Sequence, residues 1–249
     1  TWSSEDSWQV TSIAVPPGTP DRVYATTDGD GVLRSTDGGL SWAPCNVGLS
    51  TLSTLHILPD VADPDRLYVA TQGAGIYLTT DGGDHWTPIN KGLGDLDPWE
   101  LAQDPLMPSQ LYAASRHGLY QSSDAGATWS LMPGPLSQAF VFRVSAASDG
   151  RETTVYCGVK GSMAVVAPLA GAAQAGALAD SVSAGSGVYQ MTVVHNCCFG
   201  DVDCDGDLDA FVSDNLNITV WLNDGAGVFT DSGQSLGNAM HEGVALGDV

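Results

Sequence analysis

Positive charge is scarce in this chain: eight lysines and arginines stand against 29 acidic residues, a formal net charge of −21. A surface so charged repels nucleic acid and anionic lipid and collects cations, so neither serves as a partner. Glutamate is nearly missing too, confined to Glu5, Glu100, Glu152 and Glu242, so the acidity is almost all aspartate. The short aspartate side chain suits turns and metal loops, where it reaches nearby backbone or an ion held by that backbone. Apolar runs nowhere approach the roughly 20 residues of a helical span, which argues against membrane insertion, and Thr1 opens no signal peptide. Helical patterning is nearly absent. What is abundant is glycine (30), proline (13) and tryptophan (7), set between short apolar runs in a chain of 249 residues that is 43% hydrophobic. Such a composition predicts an all-β protein with many tight turns and a substantial core.

An octet recurs: "STDGGLSW" at Ser35 to Trp42, "TTDGGDHW" at Thr79 to Trp86 and "SSDAGATW" at Ser122 to Trp129. Its tryptophans lie 44 and 43 residues apart, and each octet follows a matching pair of strand-like segments, "DRVYATT" with "GVLRST", "DRLYVAT" with "GIYLTT", and "SQLYAAS" with "GLYQSS". Thr1-Trp2 reads as the end of an earlier octet, since Trp42 follows Trp2 by 40 residues. The octets resemble the Asp-box (BNR) repeat of sialidases, sortilin-type receptors, photosystem assembly factors and xyloglucan-degrading enzymes. That resemblance implies a β-propeller built from four-stranded antiparallel blades, with each box turning between the third and fourth strands. In such a turn Asp37, Asp81 and Asp124 accept bonds from local amides, Gly39, Gly83 and Gly126 take positive φ, and the tryptophan packs alongside. These aspartates are therefore expected to be structural.

Beyond Trp129 the strands continue ("AFVFRVSA", "TVYCGV", "MAVVA"), but a small-residue stretch at about 167–187 replaces the octet before "GVYQMTVV". This predicts a degenerate fourth blade with a long loop. A different repeat follows. "DVDCDGDLD" places Asp201, Asp203, Asp205, Asp207 and Asp209 at alternate positions around Gly206, the spacing of oxygen ligands that calcium requires. Val212 stands where an EF-hand needs glutamate, and the residues after the loop read as a strand. With Phe199-Gly200, "NITVWLNDGAGVFTDSG" and the closing "GVALGDV", the segment resembles the FG-GAP/VCBS repeats of integrin α-subunit propellers and bacterial surface proteins. Those repeats hold calcium in a loop joining two strands of a blade. Asp248 follows Asp201 by 47 residues, so the last residues read as the start of a second such loop and the chain as part of a longer repeat protein. The division expected by motif is 1–190 for Asp-box blades and 191–249 for FG-GAP-type blades of the same propeller. The acidic "TTDGDGVLR" is expected to be a plain hairpin turn, because its counterpart "ATQGAGIYL" lacks the acids.

Cys45 falls in the slot of Ile89 and Met132, and Cys157 in that of Ala25, Val69 and Ala113, so both are expected as small apolar fillers rather than disulfide halves. Cys197, Cys198 and Cys204 cluster; adjacent strand residues point oppositely, so at most one of the first two reaches Cys204, and the pairing stays open. Asn217-Ile218-Thr219 is an acceptor sequence for an N-glycan. A sialidase would need an arginine cluster with a Tyr/Glu pair; Arg22 and Arg66 are one repeat position, and Arg143 in "AFVFRVS" lacks the following proline and partners. The five histidines are scattered along the chain. The expected function is a non-enzymatic, calcium-binding interaction, adhesion or structural scaffold, extracellular or on the cell surface, with a protein or glycan ligand or like subunits as partners. The alternatives are a subunit of a fibre assembled through blade contacts and a non-catalytic part of a sialidase-like or other glycoside hydrolase.

Overall fold

The computed structural model describes residues 8–148, 150–151, 153–159, 162–166, 188–189, 196–200, 202–203, 209–213, 218–223 and 229–235. They form five four-stranded antiparallel sheets, each with its strands in sequence order. The first holds β1 (Val10–Ala14), β2 (Val23–Thr27), β3 (Gly31–Ser35) and β4 (Ala43–Pro44). The second holds β5 (Thr54–Pro59), β6 (Leu67–Thr71), β7 (Gly75–Thr79) and β8 (Thr87–Pro88), and the third β9 (Pro98–Gln103), β10 (Leu111–Ser115), β11 (Gly118–Ser122) and β12 (Ser130–Leu131). The fourth comprises β13 (Val141–Ser148), β14 (Thr153–Val159), β15 (Ser162–Val166) and β16 (Val188–Tyr189), and the fifth β17 (Asn196–Gly200), β18 (Asp209–Ser213), β19 (Ile218–Asn223) and β20 (Phe229–Ser235). One 3₁₀ turn, Pro135–Ser137, is the sole helical element among the described residues.

The chain packs as two compact units, Thr1–Leu131 and Met132–Val249. The boundary expected at about 190 rests on the motifs in the sequence, a different criterion from compactness. Within the second unit the fourth sheet covers the stretch expected as a degenerate blade, and the segment 167–187 between β15 and β16 lies outside the described residues.

In the first unit two apolar clusters lie between successive sheets. One joins the first and second sheets through Tyr24, Val32, Ile57, Val69 and Trp86; the other joins the second and third through Tyr68, Ile76, Leu101, Leu111 and Trp129. Middle strands are buried on both faces, which is why "LYVAT" and "LYAAS" read as continuous apolar runs. Cys45 lies in the first cluster, where burial pushes its thiol up to about 12, and Cys157 is buried at the position of Ala25, Val69 and Ala113. The "TTDGDGVLR" segment is the expected hairpin, with positive φ at Gly29, between β2 and β3, and at Gly31, the first residue of β3.

The three octets share one hydrogen-bond scheme. Ser35 Oγ donates to Asp37 Oδ1 (2.7 Å) and accepts from the Gly39 amide (2.8 Å), while Asp37 accepts from the Ser41 amide (2.8 Å) and hydroxyl (2.5 Å). Thr79, Asp81, Gly83 and His85 repeat it, with His85 Nδ1 2.8 Å from Asp81 Oδ2, as do Ser122, Asp124, Gly126 and Thr128. Gly39, Gly83 and Gly126 all have positive φ, and Ala125 takes the left-handed conformation that Gly38 and Gly82 occupy elsewhere. The tryptophans then diverge. Trp86 Nε1 donates to Cys45 O (2.7 Å) and Trp129 Nε1 to Ile89 O (2.8 Å), each reaching the preceding sheet, whereas Trp42 Nε1 bonds Gly39 O (3.1 Å) in its own turn. For Trp42 the position matching Cys45 and Ile89 is Glu5, outside the described residues. Arg22 adds a further link between sheets, pairing with Asp65 at 2.5 Å.

These turn bonds favour the ionised aspartate. The Ser41 hydroxyl and amide bring Asp37 down to about 2, the His85 ring holds Asp81 below the usual carboxylate range, and Thr128 lowers Asp124. Because the folded values are depressed, the resulting stability is complete above the ordinary value of 3.8 and is lost as pH falls through the folded values. Denaturant midpoints are expected to drop between about pH 4 and about pH 2, less steeply for Asp37→Asn than for the native chain. Identical slopes would show that this carboxylate is not coupled to folding.

Candidate functional site

Of the acidic loop, Asp203 and Asp209 are described; Asp201, Asp205 and Asp207 lie outside the described residues, as do Cys204 and Asn217. The loop joins β17 to β18, the two strands closing on the Gly200↔Asp209 pair. Asp209 is fully buried and its Oδ2 accepts the Val202 amide (2.7 Å), so the ninth position ties back to the second. Asp203 is exposed. Cys197 and Cys198 are consecutive in β17, paired with Val212 and Phe211. Among the described residues, no three His, Cys, Asp or Glu side chains form a metal-holding group.

A second place of interest emerges in the first unit, at the ends where β1, β5 and β9 begin. The first strands lie side by side, and in each the pairing with the second strand slips by one residue: between Val10 and Ser12, between Thr54 and His56, and between Pro98 and Glu100. A bulge of this kind turns two successive residues where regular pleating would turn one. In β5 and β9 the two residues, Leu55-His56 and Trp99-Glu100, are flanked by buried Thr54 and Ile57, and by buried Pro98 and Leu101. Ser12, His56 and Glu100 thus share one register place, opposite Thr26, Ala70 and Ala114. The Leu101 amide donates to His56 Nδ1 (3.3 Å), and His56 Nε2 lies 4.0 Å from Glu100 Oε1. In the second unit β13 has the same slip and carries Arg143 at this place.

The connections beside these strands are acidic. Asp28 Oδ1 accepts Ser53 Oγ (2.6 Å) and Asp97 Oδ1 accepts the Gly73 amide (2.5 Å). Asp95 is buried, which pushes its pKa up, but the Asp97 amide and His117 Nδ1 (2.8 Å) outweigh burial and lower it. Asn46 and Asn90 secure the connections, each accepting a strand amide, from Val32 and Ile76, and donating to a hairpin carbonyl, of Asp30 and Ala74. Histidines scattered in sequence are therefore paired in space: His56 beside Glu100, His85 with Asp81 and His117 with Asp95. The signal lies in the spacing, since Ser12, His56, Glu100 and Arg143 are separated by 44, 44 and 43 residues, the period of the octet.

Successive four-stranded antiparallel sheets with adjacent first strands define the β-propeller class, and solved structures agree. No protein-family model matches the chain, and no curated protein does. An ancestral GH74 enzyme superposes with a TM-score of 0.67 at 17% identity, over 93% of this chain and 32% of the enzyme. YCF48 bound to D1 peptide gives 0.59 at 15% identity, over 92% of this chain and 69% of YCF48. The extracellular domain of a hybrid two-component system, BT4673 of B. thetaiotaomicron, gives 0.63 at 17%, over 97% of this chain and 31% of the domain. The chain therefore spans about a third of the GH74 enzyme and of the bacterial domain. At these identities the shared property is the fold.

Proposed function

We propose that this chain is a non-enzymatic, calcium-binding β-propeller segment that serves as an interaction scaffold outside the cell or on its surface. In this reading residues 1–190 carry Asp-box repeats and 191–249 carry FG-GAP/VCBS-type repeats. Asp37, Asp81 and Asp124 are engaged within their own turns, which supports a structural role for them. YCF48 with its bound peptide is a precedent for a protein ligand on a propeller of this shape.

The observation that carries the calcium assignment is Asp209, buried at the start of β18 with one oxygen on the Val202 amide. A carboxylate placed there closes the loop on itself between β17 and β18, which supports the FG-GAP resemblance, in which such a loop joins two strands of a blade. Asp201, Asp203, Asp205 and Asp209 would supply carboxylates and Asp207 its carbonyl. Calcium would relieve the repulsion of five acids within nine residues and order the loop. Calorimetric titration is expected to show one site with Kd of roughly 10⁻⁴ to 10⁻³ M, weakened at least tenfold by Asp205→Ala. At about 1 mM calcium the linked stabilisation is about 0.4 to 1.4 kcal/mol. Absence of both binding heat and a thermal shift at 10 mM, an amount on the order of ten or more times that Kd, would refute the assignment.

A further inference from the structure

We propose that the seam between the second and third sheets holds a binding site for a carboxylate group, with Arg66 and Tyr68 as its donors and Ser109 at its mouth. The site lies apart from the calcium loop and depends on neither the calcium nor the scaffold reading.

Two seams built from the same repeat positions differ here. Between the first and second sheets, Arg22 Nη1 donates to Asp65 Oδ1 (2.5 Å) and Nη2 to Pro64 O (3.0 Å), while the Tyr24 hydroxyl donates to Gly82 O (2.7 Å). Between the second and third sheets, Arg66 and Tyr68 hold the places of Arg22 and Tyr24, and Pro108, Ser109 and Ala125 hold those of the three acceptors. The backbones correspond, since the Gly82 amide donates to Asp65 O (2.9 Å) and the Ala125 amide to Ser109 O (2.8 Å). Each acceptor is nonetheless lost in its own way. Serine 109 brings no carboxylate, and Pro108 O is taken by Gln103 Nε2 (2.7 Å). Tyr68 is fully buried and its hydroxyl has no hydrogen-bond partner, so Ala125 O receives nothing from it. Arg66 Nε is buried without a partner as well, and among the described residues no carboxylate pairs with Arg66.

Both groups are donors. Burial pushes the Tyr68 hydroxyl up to about 12 against the nearby charge of Arg66, so it keeps its proton at neutral pH; the guanidinium is near it but not aligned to bond it. Asp60 and Asp63, which also act on Tyr68, use their oxygens elsewhere: Asp60 accepts the Ala62 and Asp63 amides and Gln103 Nε2, and Asp63 Oδ1 accepts the Asp65 amide (3.0 Å). A carboxylate carries two oxygens, one for a guanidinium and one for a hydroxyl, and a buried donor left unpaired gains most from such a bond. Access and room are both present. Ser109 is exposed and Arg66 half-buried, so the seam opens to solvent at this end. A Cβ at Gly82 would stay 3.5 Å from Asp65 Oδ1, an ordinary contact, so the Ala125 methyl leaves space for a carboxylate at the corresponding place.

The test uses the full chain and sodium acetate as probe, exchanged against sodium chloride at a constant ionic strength of about 0.15 M so that screening does not change. NMR follows the Arg66 Nε–Hε resonance, identified by its loss in Arg66→Lys. Saturable movement is expected, with half-saturation on the order of 10 mM. Tyr68→Phe is expected to weaken binding about tenfold without lowering the melting temperature, because the hydroxyl it removes has no partner. Ser109→Asp restores the chain's own carboxylate: it should raise the melting temperature, shift the Arg66 resonance toward its acetate-bound position and abolish the response to acetate. An end-blocked Gly-Asp-Gly peptide separates the two sources of the group. Tighter binding than acetate assigns the site to an acidic side chain of a protein partner, and equal binding assigns it to a small free carboxylate. An Arg66 resonance that moves no further in acetate than in chloride would overturn the site, as would a folded Ser109→Asp variant that still responds to acetate. Full affinity in Tyr68→Phe would overturn it too. None of these outcomes alters the calcium titration, so the two proposals fail separately.

Discussion

Replacing Trp86 with alanine is expected to destabilise the first unit by about 4 kcal/mol, the upper range for large-to-small changes in a core. Trp86 is 3% exposed within the cluster between the first two sheets. It is also a clamp: its amide donates to Val47 O (2.8 Å) and its Nε1 to Cys45 O (2.7 Å), both in the connection that leaves β4. The substitution removes the ring and orphans the Cys45 carbonyl, adding about 1 kcal/mol to the cavity cost. Trp129, bound to Lys91 O and Ile89 O, should behave alike. Trp42→Ala is expected to cost about half as much, because that ring is half-buried and its indole N–H bonds within its own turn. Urea midpoints of the three variants test this. Equal losses at 42 and 86 would mean that packing around the turn, rather than the link between sheets, sets the cost.

Substitution of Gly48 by alanine should be about as damaging, at roughly 3 to 5 kcal/mol, although it adds a single methyl group. Gly48 has φ +96°, and a Cβ built there would meet Trp86 O at 2.1 Å. That carbonyl cannot withdraw, since the amide and the indole of its own residue are both anchored to the 45–47 segment. Gly92 repeats the arrangement, with φ +87° and Trp129 O at 2.1 Å. Gly18 provides the control: its φ is +72° but a methyl group there would meet no atom within 4 Å, so Gly18→Ala should lose only the cost of the left-handed backbone, about 1 kcal/mol. Chemical denaturation of Gly48→Ala, Gly92→Ala and Gly18→Ala separates the two contributions. A Gly48 variant no worse than the Gly18 variant would show that the sheets yield at this contact.

Both predictions depend on how neighbouring sheets interlock, and this is where sequence and structure part. The octet chemistry was legible residue by residue, because Ser35, Asp37, Gly39 and Ser41 bond within one turn and a local motif carries its own geometry. The hairpins at Gly29 and Gly73 were legible for the same reason, and so was the fourth sheet, whose strand segments survive the loss of the octet. The apolar slots of Cys45 and Cys157 followed from aligning one repeat on another.

The chain's own residues therefore determined that it is all-β, built of repeated four-stranded sheets near 44 residues in period, with aspartates serving its turns. Those features arise from short-range bonds and from the burial of alternating or continuous apolar runs, both of which leave a signature in the order of residues. Only the tertiary structure decided which tryptophan clamps a neighbouring sheet, which arginine crosses to Asp65, and that His56 stands beside Glu100. A bulge shifts a strand by one residue and so changes which side chains share a face, and a contact between first strands joins residues 44 apart through space alone.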